Sequence, residues 1–186
     1  MYYRVPYWYW ENALNDKWID RLHKLAKKKK LAKGRVGDDL SVHKNIRNSN
    51  IAFFSEDWIH KEIHPFITKA NKQAGWNFEW FRTEDVQYTE YLLNQHYDYH
   101  VDCNVVPTPD NRQRKLSVVV SLNDSSEYKG GQFKIMLSPQ EIREVTELRK
   151  KGSIIIFPSN LWHKVEPVTE GKRYSLVAWA QGFSFK

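Results

Sequence analysis

Cysteine is almost missing from this sequence. The single one, Cys103, among 186 residues cannot close an internal disulfide. That excludes a disulfide-stapled scaffold and a cysteine-based zinc finger, and it suits a reducing compartment. Long hydrophobic runs are missing as well. Mean hydropathy is −0.70, and no apolar stretch approaches the ~18 residues of a membrane span, so no membrane association is expected. The opening residues, Met1 to Pro6, carry no apolar segment of the kind a secretory signal needs. Internal repeats, linkers and low-complexity tails are not visible either.

What is present is enough apolar surface for a substantial core. Hydrophobic residues make up 41% of the chain and include 8 Trp, 10 Tyr and 9 Phe, which argues against global disorder. The length fits one domain over residues 1–186. Helical support is expected at about 10–77 and a β-rich core at about 78–186. The net charge of +7 invites a nucleic-acid reading. The densest basic run, Lys27 to Lys30 with Lys33 and Arg35, reads equally as the solvated end of a helix, where cations complement the macrodipole.

Two helices are expected ahead of the β region. Leu14, Trp18, Leu22 and Leu25 recur at helical spacing and predict an amphipathic helix over 12–31, stopped by Gly34. A second starts at Ser55, with Glu56 and Asp57 in its first turn, and ends at Gly75. Pro65 inside it predicts a kink, or a break near His64. Between them, the polar stretch 34–50 reads as a mobile loop leading into a short strand, Ile51 to Phe54. From residue 78 onward, short alternating runs predict strands near 78–82, 86–93, 96–102, 115–122, 131–137, 153–157, 162–166 and 173–181. A helix is expected within 138–150, because Ser138, Pro139 and Glu141 make a start signature before Ile142, Val145 and Leu148. Short strands following helices suggest a sandwich or jelly roll with the helices packed outside.

The segment His96 to Asp102 carries the chemistry. On a regular strand His96, Asp98, His100 and Asp102 share one face, which is no ordinary core face. A His-x-Asp pair joined by a distant histidine makes the two-His, one-carboxylate facial triad of non-haem Fe(II) oxygenases. The distant histidine is His163, after the apolar strand and turn at 153–160. Ten residues later comes Arg173. By alternation Arg173, Ser175, Val177 and Trp179 share a face. An inward arginine there calls for an anion, best a carboxylate bound in bidentate fashion.

The pattern His100-x-Asp102, His163, Arg173 resembles the Fe(II)/2-oxoglutarate-dependent dioxygenases, and most closely their prolyl 4-hydroxylase-like branch. Tyr91, Gln95 and Tyr97 precede His100 at that branch's offsets. Lys115 to Asn123 resembles its second core strand, Glu127 to Phe133 its Gly-Gly turn, and Gly152 to Pro158 the strand leading to its distal histidine. The similarity is dense over 85–183 and loose over 46–80. The branch's glycine is Asn94 here, which can also adopt a left-handed turn. Arg173 stands where many prolyl 4-hydroxylases have lysine. The tyrosine offset selects His100 and Asp102 over the neighbouring His96-x-Asp98.

The resemblance implies a mostly β protein with N-terminal helices and a double-stranded β-helix (jelly-roll) core. It implies His100, Asp102 and His163 as ligands of Fe(II), with no catalytic residue beyond that centre. Arg173, helped by Tyr91 and Ser175, would hold the cosubstrate 2-oxoglutarate. The formal charges of iron, Asp102, dianionic cosubstrate and Arg173 then sum to zero, which a low-dielectric pocket tolerates. O2 would be the oxidant and ascorbate a reductant. The implied reaction is hydroxylation of peptidyl proline, with 2-oxoglutarate converted to succinate and CO2. Arg47, Trp162 and Trp179 are candidate contacts to the peptide, 34–50 a candidate lid, and 104–114 a second rim. Alternatives are hydroxylation of another protein side chain or of a free amino acid, and a nucleic-acid-directed oxygenase. The last is disfavoured, because Trp179 occupies the place of that group's second arginine. A monomer is expected, in the cytoplasm of a bacterial or virus-infected cell.

Overall fold

A computed structural model of the chain describes residues 3–35, 43, 45–103 and 108–184. The chain begins with strand β1 (Trp8–Trp10), helix α1 (Asp16–Lys27) and the short strands β2 (Ala32–Lys33), β3 (Arg47–Asn48) and β4 (Asn50–Phe54). Helix α2 (Asp57–Gln73) follows, then β5 (Arg82–Thr83), β6 (Val86–Tyr91), β7 (His96–His100) and β8 (Arg112–Ser121). The last part holds β9 (Tyr128–Gly130), β10 (Phe133–Ser138), β11 (Glu141–Glu144), β12 (Ile154–Pro158), β13 (His163–Val165), β14 (Val168–Gly171) and β15 (Arg173–Phe183). No helix among the described residues is long and apolar enough to cross a membrane.

The strands pair antiparallel into a large sheet, ordered β1-β12-β8-β15-β6-β4-β2 with β5 beside β15, and a smaller one, ordered β11-β10-β13-β7-β3. Side-chain alternation then divides the core. Leu116, Val118 and Val120 of β8 and Leu176 and Ala178 of β15 face α1 and α2, against Trp18, Ile19, Leu22, Ile59, Ile63 and Ile67. Val119, Ile155 and Phe157 point the other way, toward Phe133, Ile135 and Val165 of the small sheet. The result is three layers: helices, large sheet, small sheet. It is a mostly β jelly roll with helices outside, as the alternating runs suggest.

Several elements differ from the periodicity. Helix α1 is shorter than 12–31. It opens at Asn15, whose side chain accepts the Trp18 N–H at 3.0 Å, and it closes at Lys27, after which Ala32 and Lys33 pair with Ile51 and Asn50. Helix α2 runs through Pro65 without a break. Pro65 sits on its exposed side, so the carbonyl that loses its partner can bond to water. The helix expected over 138–150 does not form. The turn after Ser138 folds Glu141–Glu144 back onto β10, and only a single 3-10 turn, Thr146–Arg149, follows. The open edge of β10 supplies backbone partners all along that segment, and tertiary pairing overrides the local signal. The run at 78–82 yields just the two-residue β5. Ahead of residue 78, β1 and β4 also belong to the large sheet.

Candidate active site

His100 ends β7 and His163 begins β13, and the two lie directly opposite each other in the antiparallel pair. Cross-strand partners share a face at close range, and the imidazole centroids are 4.1 Å apart. Asp102 lies just beyond β7, where its N–H donates to the Ser159 carbonyl at 2.8 Å. Its carboxylate oxygens come within 3.7 Å of His100 Nε2 and 3.4 Å of His163 Nε2. One ligand atom from each of the three residues fits within a 4.8 Å group, the one such cluster of three among the described residues. His100 Nδ1 is 2.8 Å from the Asp98 carbonyl and His163 Nδ1 is 2.9 Å from the Leu161 carbonyl. A carbonyl only accepts, so Nδ1 carries the proton in both rings and the Nε2 lone pairs face the shared point. This donor set, two neutral imidazoles and one carboxylate, fits ferrous iron.

Burial alone would raise the Asp102 carboxyl. His163, His100, Arg114 and the Ser117 hydroxyl outweigh it and hold the group at about 2. Burial, reinforced by His163, pushes His100 down to about 3. At neutral pH the cluster therefore holds an ionised Asp102 beside a neutral His100.

A β-bulge separates the two His-x-Asp pairs. Three residues of β13, His163 to Val165, face four of β7, His100 to Tyr97. The extra residue breaks the alternation, so His96, Asp98, His100 and Asp102 do not share one face as a regular strand would require. Tyr97 and His100 fall together instead, their rings stacked at 3.5 Å and 11°. His96 turns away, with Nε2 3.2 Å from the Asn45 carbonyl, and Asp98 is exposed.

The cluster opens into a cleft of about 1010 Å³, lined also by Arg47, Tyr91, Tyr97, Phe133, Arg173, Ser175 and Trp179. Arg173 is 3% exposed. It pairs in register with Tyr91, lies 5.4 Å from that ring's centroid, and donates to Ser175 Oγ at 3.4 Å. Among the described residues it has no carboxylate partner, which a buried guanidinium ordinarily requires. Gly131, at φ +61, gives it room: a Cβ there would lie 2.9 Å from Arg173 Cδ. Trp179 lies under the Arg114 guanidinium at 4.0 Å, and its buried Nε1–H has no acceptor among the described residues. Arg47 is also buried. It donates to Ser49 Oγ, the Arg35 carbonyl and Gln87 Oε1 and stacks on Tyr97 at 4.6 Å.

Trp162 is half exposed and is not among the residues lining the cleft. Residues 36–42 and 44 of the expected lid, and 104–107 of the expected second rim, lie outside the described residues. Sequence reasoning passed over Ser117, whose Oγ donates to Asp102 Oδ2 at 2.7 Å and lies 2.9 Å from Ser159 Oγ. It also passed over Arg114, which donates twice to Glu84 at 2.6 Å. The available signal for Ser117 was a lone hydroxyl inside the apolar run 116–120; Arg114, three positions earlier in the polar start of β8, had none.

The model of the 2OG-Fe(II) oxygenase superfamily matches residues 86–181. A PKHD-type hydroxylase of Alteromonas mediterranea is 35% identical over 97 residues, which is 50% of this chain and 42% of that one. One from Xylella fastidiosa is 35% identical over 107 residues, 54% and 45% of the two chains. The matched stretch thus spans less than half the length of these curated relatives. Among solved structures, a Pseudomonas putida prolyl-4-hydroxylase superposes with a TM-score of 0.75 at 19% identity, over 96% of this chain and 94% of that one. The viral collagen prolyl hydroxylase of Paramecium bursaria Chlorella virus-1, in its 2OG complex, gives 0.68 at 22%, over 96% and 97%. A Trichoplax adhaerens prolyl hydroxylase, solved with a hypoxia inducible factor peptide fragment, gives 0.70 at 17%, over 95% and 84%. The chain belongs to the 2OG-Fe(II) oxygenase superfamily, and its fold is that of the prolyl 4-hydroxylases.

Proposed function

We propose that the chain, as a single oxygenase domain, hydroxylates proline in a peptide or protein. His100, Asp102 and His163 hold Fe(II), and Arg173 holds the far carboxylate of 2-oxoglutarate. The observation that carries this reading is the pairing of the three-donor cluster with a buried, unpaired Arg173 in one cleft. When bound, iron supplies with 2-oxoglutarate and O2 the power to hydroxylate a C–H bond, while the cosubstrate becomes succinate and CO2.

The residues of the chain do the positioning. Asp98 and Leu161 carbonyls hold the two imidazoles with Nε2 inward, and Ser117 fixes the carboxylate. Ser175 aims the Arg173 guanidinium, and Tyr91 walls its side. Trp179 contributes its ring to the cleft wall, packed under the Arg114 guanidinium. The cleft is far larger than 2-oxoglutarate needs and reaches the exposed Lys29, Lys30 and Lys33, which favours a polypeptide over a free amino acid.

The test is anaerobic loading with Fe(II) and 2-oxoglutarate, followed by O2, with and without a proline-containing peptide. Succinate release rises with the peptide, and proline gains the mass of one oxygen atom. His100→Ala loses at least about 100-fold in turnover, as removal of a direct ligand should exceed the 10–100-fold typical of an outer partner, whereas His96→Ala stays active. Succinate without a peptide effect would leave an oxygenase of another substrate. A dead His96→Ala beside a live His100→Ala would overturn the assignment of the ligands.

A further inference from the structure

Some basic residues of this chain are ion-paired: Lys129 with Glu170, Arg149 with Glu144, Lys151 with Asp16, while Lys134 and Lys164 share Glu166. Others on the helices, such as Lys24, Lys61 and Lys72, are exposed to solvent without an ion pair among the described residues. Around the cleft, unpaired cations converge instead on one concave wall. Lys29, Lys30, Lys33, Arg35 and Arg47 all line it, and none of them has an ion-pair partner among the described residues. Among the described residues the cleft lining contains one carboxylate, Asp102, and that one belongs to the proposed metal cluster. Bound iron and dianionic 2-oxoglutarate would cancel each other and leave this positive wall unanswered.

The wall has a defined build. Lys29 and Lys30 follow the end of α1, and Lys33 and Arg35 lie in and just after β2 on the edge of the large sheet. Lys29 Nζ is held by the Phe53 carbonyl at 2.6 Å, and Lys33 Nζ by Asn50 Oδ1 at 2.8 Å. These are neutral acceptors that place the ammonium groups without discharging them. Deeper in, Arg47 bonds three neutral oxygens. Gly34 leaves it space, since a Cβ there would come within 2.5 Å of Arg47 Nε. A low-dielectric wall lined by one sign of charge focuses its field into the cleft and steers an oppositely charged ligand.

We infer that the cleft selects an acidic polypeptide segment, with Asp or Glu flanking the residue to be hydroxylated on the side that meets Lys29, Lys30, Lys33 and Arg47. This inference rests on the peptide-hydroxylase reading. Within the cleft lining these cations gather at the end of α1, in β2 and just after it, a compact cluster, and Lys134 and Lys164 on β10 and β13 share the Glu166 carboxylate. That suits a cluster of carboxylates on one side of a target better than a nucleic-acid strand, which presents a phosphate at every nucleotide and needs a continuous basic track.

The experiment measures anisotropy of short fluorescein-labelled peptides, each with a central proline flanked by Asp and Glu, by Gln and Ser, or by Lys. They are titrated with the metal-free and the Fe(II)-loaded protein. The acidic peptide should bind at least about tenfold tighter than the lysine peptide, and raising salt from ~50 to ~500 mM should erase most of that difference. The exposed triple variant K29E/K30E/K33E should weaken the acidic peptide about tenfold and reverse the preference. Equal binding of acidic and neutral peptides, or a preference insensitive to both salt and charge reversal, would overturn the inference. So would tighter binding of a single-stranded oligonucleotide that the triple variant abolishes. The salt series on the unaltered protein keeps the test valid if the variant folds poorly. A retained acidic preference with no proline hydroxylated would instead overturn the proline reading and leave the acidic one standing.

Discussion

A carboxylate buried beside two imidazoles stays ionised because its neighbours outweigh its desolvation. Asp102 has both rings, Arg114 and the Ser117 hydroxyl around it, and Arg114 is itself discharged by Glu84. Ser117 donates to the Oδ2 oxygen that faces His163, so it sets the aim of that oxygen. Ser117→Ala should lower Fe(II) affinity by about 10–100-fold, as loss of an outer hydrogen-bond partner does at other metal sites. Anaerobic Fe(II) titration reads this, while the melting temperature stays near that of the unaltered protein. Unchanged affinity would make the bond merely structural.

At the scale of elements, the turn between β6 and β7, which carries the chain from the large sheet to the small one, fixes the phase of the strand that holds His100. Asn94 sits at φ 62 in that turn, and its N–H donates to the Val168 carbonyl at 2.8 Å. The left-handed conformation that the sequence pattern requires at this place is therefore present, with asparagine in it. Asn94→Val should cost about 1–2 kcal/mol, because a β-branched side chain resists that conformation. Asn94→Gly should be neutral or slightly stabilising. Urea unfolding of both variants measures the difference, and equal stabilities would remove the turn from the account. Downstream, the bulge in β7 decides which side chains enter the cleft. The alternation of Arg173, Ser175, Val177 and Trp179 is legible without the structure, and these residues do share the cleft wall, because β15 keeps a regular register beside β6. The fate of 138–150 was not legible, because it depended on a free edge of β10 supplied from elsewhere in the chain.

The whole molecule carries an acid sensitivity. Burial lowers the proton affinity of His23, held between the Tyr88 hydroxyl and the Leu122 carbonyl, and of His64, which bonds Thr83 Oγ1. His100 is lowered furthest, from 6.5 to about 3. All three bind protons more weakly folded than unfolded, so unfolding takes up protons once the pH falls below 6.5. Their stabilising effect is complete above that value and is lost as pH falls toward the folded values, about 3 for His100. Asp102, lowered from 3.8 to about 2, adds its loss only below 3.8. The melting temperature of the metal-free protein should therefore fall steadily from pH 6.5 downward and more steeply below 4, as read by calorimetry. A flat profile down to pH 4 would show that these histidines titrate normally in the fold.

The sequence by itself determined the residue types of the site, the alternating runs that become β6, β8, β12 and β15, and the apolar faces of both helices. These are local properties: a strand's inward face and a helix's buried stripe follow from spacing along the chain. Strand parity leaves His96 and His100 equal and only the tyrosine offset favours His100; what physically separates the two is a bulge that β7 forms against β13 in the folded chain. The tertiary structure alone brought His163 opposite His100, closed the sheet with β1 and β4 from the helical half, and gathered unpaired lysines from the end of α1 onto the wall of the cleft. Those outcomes depend on which strand edges and charges meet across the fold, and no local spacing carries that information.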